Sequence, residues 1–239
     1  MLSRLDWMTL TPRVILDIGC GEGKSTQQLR LRYPKATVLA LDLSWPMIEH
    51  AKQTTHQILC LQADGKTLPL RNQSVDLIFA NFVLPWQPDI TRVLTEWQRV
   101  LSSDGLLMFT MLGLDTLQAY QTFFPKETHP TLYDMHDVGD CLSQINFSDP
   151  VLDVARYEMA YHDPERLVSD LLASELWMPQ DSTTEKEATK MIYNLTPTED
   201  GWPLTYEVIY AHAFKAPPKT PGMARIPLTN LQKSLPSKT

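Results

Sequence analysis

Ten residues near the start of the chain, Val14-Ile15-Leu16-Asp17-Ile18-Gly19-Cys20-Gly21-Glu22-Gly23, restrict its fold more than any other stretch. A short apolar run ends at an acid and then turns through three alternating glycines, the pattern D-x-G-x-G-x-G. Glycine is needed where backbone takes a positive φ or lies flat against a ligand. The stretch therefore predicts a buried strand, a tight turn and the start of a helix. Its spacing and its leading acid differ from the dinucleotide-binding fingerprint, so the rest of the chain must decide what the turn serves.

Three later segments answer it. One βαβ unit further on, Val38-Leu39-Ala40-Leu41-Asp42 is a second apolar strand that ends in an acid, placed to accept hydrogen bonds from a ribose diol. Ile58-Leu59-Cys60-Leu61-Gln62-Ala63-Asp64 ends the same way, and Val75-Asp76-Leu77-Ile78-Phe79-Ala80-Asn81 ends in a polar amide. Four polar strand ends converge on one edge of a parallel sheet. In this order the residues resemble the class I S-adenosylmethionine (SAM)-dependent methyltransferases. The resemblance implies SAM as cofactor, with Asp17 facing its amino group above the glycines, Asp42 holding the ribose and Asp64 the adenine amine. Asn81 would line the methionine side through its backbone. The cofactor-binding set so implied is Asp17, Gly19, Cys20, Gly21, Asp42, Leu43, Asp64, Gly65, Asn81 and Phe82. No catalytic residue is assigned.

At 239 residues, the chain suits one large α/β domain and is too short for two plus a linker. No run has transmembrane length and no charged-then-apolar leader opens the chain, which predicts a cytoplasmic protein without a membrane partner. Cys20, Cys60 and Cys141 are far apart, and the six histidines are scattered, so no metal site is expected. The net charge is −7, yet Lys215, Lys219, Arg225, Lys233 and Lys238 follow Phe214 without an acid, leaving the preceding part still more acidic. An acidic body argues against a nucleic-acid substrate.

Further along, helices are expected over Lys24 to Arg32, after Ser44 as N-cap with Pro46 in the first turn, and over Asp89 to Leu101, with Ile90, Val93, Leu94 and Trp97 at helical spacing. Leu106 to Met111 is the fifth strand. Phe82 and Trp86 leave the fourth strand towards the cofactor mouth. Gly113 to Phe147 reads as an insertion with helical periodicity, and Val151 to Tyr161 and Leu204 to Phe214 as the last two strands, paired antiparallel. Two helices, near Pro164 to Ser174 and Thr184 to Tyr193, fall between them. The expectation is an α/β fold with a Rossmann-like seven-stranded sheet, mostly parallel with an antiparallel last strand, under a helical substrate cover. One domain spans residues 1–214, with cover segments 113–149 and 162–200, and a basic, proline-containing tail follows at 215–239. Only thirteen residues precede the first strand, which predicts either a shortened chain or an open site.

A narrower resemblance begins at Gly113-Leu114-Asp115-Thr116-Leu117. It continues through Tyr133-Asp134-Met135-His136-Asp137-Val138-Gly139-Asp140, Asp149-Pro150-Val151-Leu152-Asp153 and Pro203-Leu204-Thr205-Tyr206-Glu207-Val208-Ile209-Tyr210-Ala211-His212-Ala213. These segments are similar to the malonyl-acyl-carrier-protein O-methyltransferases of biotin (pimeloyl) synthesis. They are shared with a related branch, the mitochondrial complex I assembly factors, which are associated with arginine hydroxylation. The first resemblance implies methyl-ester formation on a malonyl carboxylate and an acyl carrier protein as partner. The alternatives are methyl transfer to another acceptor, or an assembly factor that binds SAM without transferring a methyl. Where the biotin enzymes carry a helix resembling L-M-R-D-L-K-x-x-G-A, this chain reads Leu167-Val168-Ser169-Asp170-Leu171-Leu172-Ala173-Ser174-Glu175-Leu176. Ser169 and Leu172 stand at the basic positions. Arg156 and Arg166 are the candidates to replace them, though each reads more simply as a surface charge.

Overall fold

The computed structural model describes residues 1–121, 130–178, 182–195 and 197–217. Seven strands form one sheet in the order β3-β2-β1-β4-β5-β7-β6. The first five, β1 (Val14–Ile18), β2 (Thr37–Asp42), β3 (Leu59–Gln62), β4 (Val75–Asn81) and β5 (Leu101–Leu112), run parallel. The last strand, β7 (Trp202–Lys215), inserts between β5 and β6 (Phe147–Tyr161) and is antiparallel to both. The seven-stranded, mostly parallel sheet with its antiparallel last strand is as expected. Reversal at β1, between β2 and β4, leaves a crevice at the carboxyl ends of the strands, where this class of sheet takes its ligands.

Helices follow from local chemistry. The first, α1 (Lys24–Arg32), starts after Gly23, whose φ of 83° only glycine adopts without strain, and stops before Pro34. In α3 (Ile90–Val100) the Asp89 carboxylate accepts a bond from the Arg92 amide at 3.0 Å, and Ile90, Val93, Leu94, Trp97 and Val100 form the buried stripe. Asp134 and Asp163 cap α4 (Met135–Gln144) and α5 (Pro164–Ala173) in the same way. The start of α2 (Trp45–Thr54) differs from expectation. Pro46 occupies its first turn, but the Ser44 side chain makes no cap bond; the Ser44 amide instead donates to Asp42. A sixth helix, α6 (Ser182–Asn194), precedes β7.

Strand limits differ most where sheet pairing extends past the apolar run. The fifth strand, expected from Leu106, begins at Leu101 and so takes in Ser102 to Gly105, with Asp104 at φ 59° and a register shift against β4. Similarly, β6 begins four residues early and is bulged between Ser148 and Val151, while β3 is shorter than its apolar run.

Two apolar cores cover the faces of the sheet. On one, Leu16, Ile18, Ile78 and Phe109 pack with α3 and α4. On the other, Ile15, Leu77, Phe79 and Met108 pack with Leu29 of α1 and Leu5 of the N-terminal 3-10 turn. A third core lies apart from both. It joins Leu112, Leu117 and Tyr120 to Leu167, Leu171, Trp177, Ile192 and Leu204 above the carboxyl end of the sheet. In the expected segment 113–149, therefore, Leu117 and Tyr120 belong to this upper layer. Val138 and Leu142 of α4 belong to the main core, so that helix flanks the sheet. Residues 122–129 of that segment, and the tail beyond 217, lie outside the described residues.

Candidate cofactor and substrate site

Asp17 is the last residue but one of β1, with its side chain on the α1 side of the sheet, 1% exposed. The Thr26 hydroxyl donates to its Oδ2 at 2.6 Å. Burial pushes the carboxyl up to about 7; the Thr26 bond opposes the rise and the Asp42 charge adds to it. No cation is recorded against it among the described residues, so Asp17 suits an ammonium brought by a ligand.

The turn that follows is closed by backbone bonds from Cys20 to Leu41 at 3.0 Å and from Gly23 to Cys20 at 2.9 Å. Gly19 and Gly21 both take positive φ, 66° and 51°, for different spatial reasons. A Cβ on Gly19 would stand 2.4 Å from Cγ2 of Val83, so this glycine lets the loop after β4 close in. At Gly21 a Cβ would meet nothing within 4 Å, which leaves its backbone open to a ligand. The Gly21 amide donates to Asp42 Oδ2 and the Ser44 amide to Oδ1, both at 2.9 Å. Each Asp42 oxygen keeps a further lone pair for hydroxyl donors. Leu43 beside it is 67% exposed.

Beyond β3, Asp64 Oδ1 accepts the Lys66 amide at 2.9 Å, and Lys66 Nζ lies 3.6 Å from Oδ2. Gly65 is fixed by Trp97, whose indole Nε1 donates to its carbonyl at 2.9 Å. At the end of β4 the Thr110 hydroxyl donates to Asn81 Oδ1 at 2.8 Å, and the Phe82 amide donates to Thr110 Oγ1 at 3.1 Å. These bonds hold Phe82 at φ 56°, unusual for an aromatic residue. All ten expected cofactor residues thus lie at or just beyond the carboxyl ends of β1 to β4. Cys20 carries no nucleophile: burial pushes its thiol up to about 12.

Phe82 also borders a cleft of about 680 Å³ between the strand ends and the upper layer. Its walls include Trp86, Leu112, Tyr157, Tyr206 and Tyr210, and the end of α5 contributes Ser174 and Glu175. Among the described residues, no lysine or arginine stands in this lining. Arg156 pairs in register with Glu207, while their neighbours Tyr157 and Tyr206 face the cleft, so Arg156 points from the opposite face of the β6–β7 ribbon. It is engaged by Asp115 at 2.5 Å. Arg166 is an exposed partner of Asp170 at 3.2 Å. Both are surface charges. Ser169 is exposed and Leu172 packs against the upper core, so the leucine at that basic position serves packing. The three tyrosines escaped notice in the sequence, although Tyr206, Val208 and Tyr210 alternate along β7 with the period that puts them on one face.

A family model described as a methyltransferase domain matches residues 16–109. A malonyl-[acyl-carrier protein] O-methyltransferase of Coxiella burnetii is 36% identical over 225 residues, covering 90% of this chain and 78% of the relative. The chain belongs to the malonyl-[acyl-carrier protein] O-methyltransferase family. A Legionella pneumophila member is 35% identical, over 90% of this chain and 81% of its own length. Members are SAM-dependent methyltransferases, and the fold agrees. A phosphoethanolamine N-methyltransferase 2 of Haemonchus contortus, solved in complex with SAM, superposes with a TM-score of 0.60 at 18% identity, over 90% of this chain and 51% of the other.

Proposed function

We propose that this O-methyltransferase family member converts the free carboxylate of malonyl-acyl carrier protein to its methyl ester, an early step of biotin (pimeloyl) synthesis. The observation that carries the reading is the identity of about one third, sustained over nine tenths of the chain, to relatives bearing that name. SAM, when bound, supplies a methyl group activated by a sulfonium. Asp17 accepts hydrogen bonds from its ammonium, Asp42 from its ribose hydroxyls and Asp64 from its adenine amine. Gly19, Cys20, Gly21, Leu43 and Gly65 form the backbone bed, and Asn81 and Phe82 the wall toward the acceptor. The buried, cation-free Asp17 and the open backbone at Gly21 support this fit.

The chain's own contribution is to orient and to exclude water. A malonyl carboxylate is already ionised at neutral pH, so no side chain has to remove a proton. Holding one of its oxygens in line with the methyl supplies up to ~7–11 kcal/mol of the barrier. The predominantly apolar cleft beyond Phe82 favours a reaction in which two opposite charges vanish. The acyl carrier protein is the proposed macromolecular partner. Residues 1–214 act as one domain, with the layer around α5 and α6 as substrate cover.

The test is the intact mass of malonyl-acyl carrier protein after incubation with this chain and SAM. One added methyl group is expected. S-adenosylhomocysteine (SAH) binding without product would assign a different acceptor to the site.

A further inference from the structure

The acceptor proposed above is a carboxylate, yet the described cleft lining holds no cation and one acid, Glu175. What replaces the cation can be traced along the sheet. Asn81 pairs with Thr110, Thr110 with Tyr210 and Tyr210 with Asp153, making one transverse row through β4, β5, β7 and β6. Adjacent strands lie about 4.8 Å apart, so the Tyr210 backbone sits roughly 10 Å from that of Asn81. Asp17, Asn81, Thr110 and Tyr210 are in phase with Ile15, Phe79, Met108 and Phe214, which pack on the α1 side of the sheet. Their side chains share that face.

The Tyr210 hydroxyl lies 2.8 Å from the hydroxyl of Tyr157. Whichever donates, one O–H proton of the pair is left over, and the bond polarises it into a stronger donor. The Arg4 guanidinium stacks 4.3 Å from the centroid of the Tyr210 ring and is anchored by Asp153 at 2.5 Å. It places positive charge against the phenol ring, and it is not among the described residues that line the cleft. Burial and the Tyr157 bond raise the Tyr210 hydroxyl to about 12, so it stays protonated at neutral pH.

We infer that the hydroxyl pair of Tyr157 and Tyr210, backed by Arg4, holds the acceptor carboxylate by neutral hydrogen bonding. The inference rests on the malonyl acceptor proposed above. A neutral donor suits this reaction. The carboxylate loses its charge as the oxygen attacks, so a tightly paired cation would stabilise the ground state more than the transition state. A single donated proton leaves the second oxygen free to attack.

Steady-state kinetics on malonyl-acyl carrier protein with Tyr210→Phe and Tyr157→Phe tests it, since phenylalanine keeps the ring against Arg4 and removes only the hydroxyl. Tyr210→Phe is expected to raise KM at least 10-fold and Tyr157→Phe by about 3-fold or more, with kcat within about 3-fold and SAH affinity unchanged, the pattern of lost substrate binding. Inhibition by malonyl-pantetheine and its methyl ester supplies a second readout: the wild type prefers the free acid, and Tyr210→Phe loses that preference. An unchanged KM and an unchanged acid preference in Tyr210→Phe would overturn the inference while leaving the acceptor in place. A wild type that binds SAH but never methylates malonyl-acyl carrier protein would overturn the acceptor and this inference together.

Discussion

Asp17 should make cofactor binding depend on pH in a range where few proteins expect a carboxylate to titrate. Burial lifts it from 3.8 to about 7. An ammonium held against Asp17 requires the ionised acid, so below neutrality binding must expel a proton. With an apparent Kd that scales as 1 + 10^(pKa − pH), lowering the pH from ~7.5 to ~5.5 weakens SAH binding about 25-fold, or about 2 kcal/mol. Titration calorimetry in two buffers of different ionisation enthalpy reads both quantities, with about half a proton released per SAH near pH ~7. A Kd constant within about 3-fold across that range, with no proton released, would refute the reasoning. Asp17→Asn should abolish the dependence and weaken SAH about 30-fold at pH ~7.5, the loss of a charge-assisted bond of about 2 kcal/mol. The same shift predicts the sign for the unliganded fold. Its native state binds more protons than its unfolded state between the two pKa values, so stability falls as pH rises from ~4 to ~7, by at most about 4 kcal/mol. In Asp17→Asn that fall disappears.

Thr26→Val removes the hydroxyl that holds Asp17 down, and the midpoint of the SAH pH profile should move upward by about 0.7 unit for a bond of about 1 kcal/mol. Gly21→Ala and Gly19→Ala should part company. The first costs about 1 kcal/mol of backbone strain in otherwise open space and abolishes SAH binding in a folded protein; the second adds a collision with Val83 and costs about 3 kcal/mol or more, seen as a lower urea midpoint. Arg99 donates to the carbonyls of Leu68 and Leu70 and to Glu96, so Arg99→Met should destabilise by about 2–3 kcal/mol in urea unfolding with SAH affinity nearly intact.

Much of the core was legible because parallel strands buried on both faces leave continuous apolar runs, and each run here stops at its polar tip, Asp17, Asp42 and Asn81 among them. Glycine spacing identified the turn but not the division of labour within it. That Gly19 admits Val83 while Gly21 faces open space depends on a loop some sixty residues away. The early start of β6 was hidden because its pairing partner, β7, comes last in the chain and supplies hydrogen bonds that no local pattern records. The absence of a cation among the described lining residues was out of reach for the same reason. Whether Arg156 enters it is decided by strand phase against Glu207, one residue of register, which composition does not carry. Ser44 misled because the nearby Asp42 carboxylate captures its amide and its own hydroxyl makes no cap.

The reversed direction of β7 has a practical corollary. Tyr206 borders the cleft near one end of that strand, while Lys215 at the other end donates through Nζ to the Leu101 carbonyl at 2.7 Å, beside the amino ends of the parallel strands. Nine residues of extended chain separate the two by roughly 30 Å. A surface tether or fluorescent reporter attached just past Lys215 would therefore leave from the back of the molecule, and a protein immobilised through it would present its cleft to solution and to an incoming carrier.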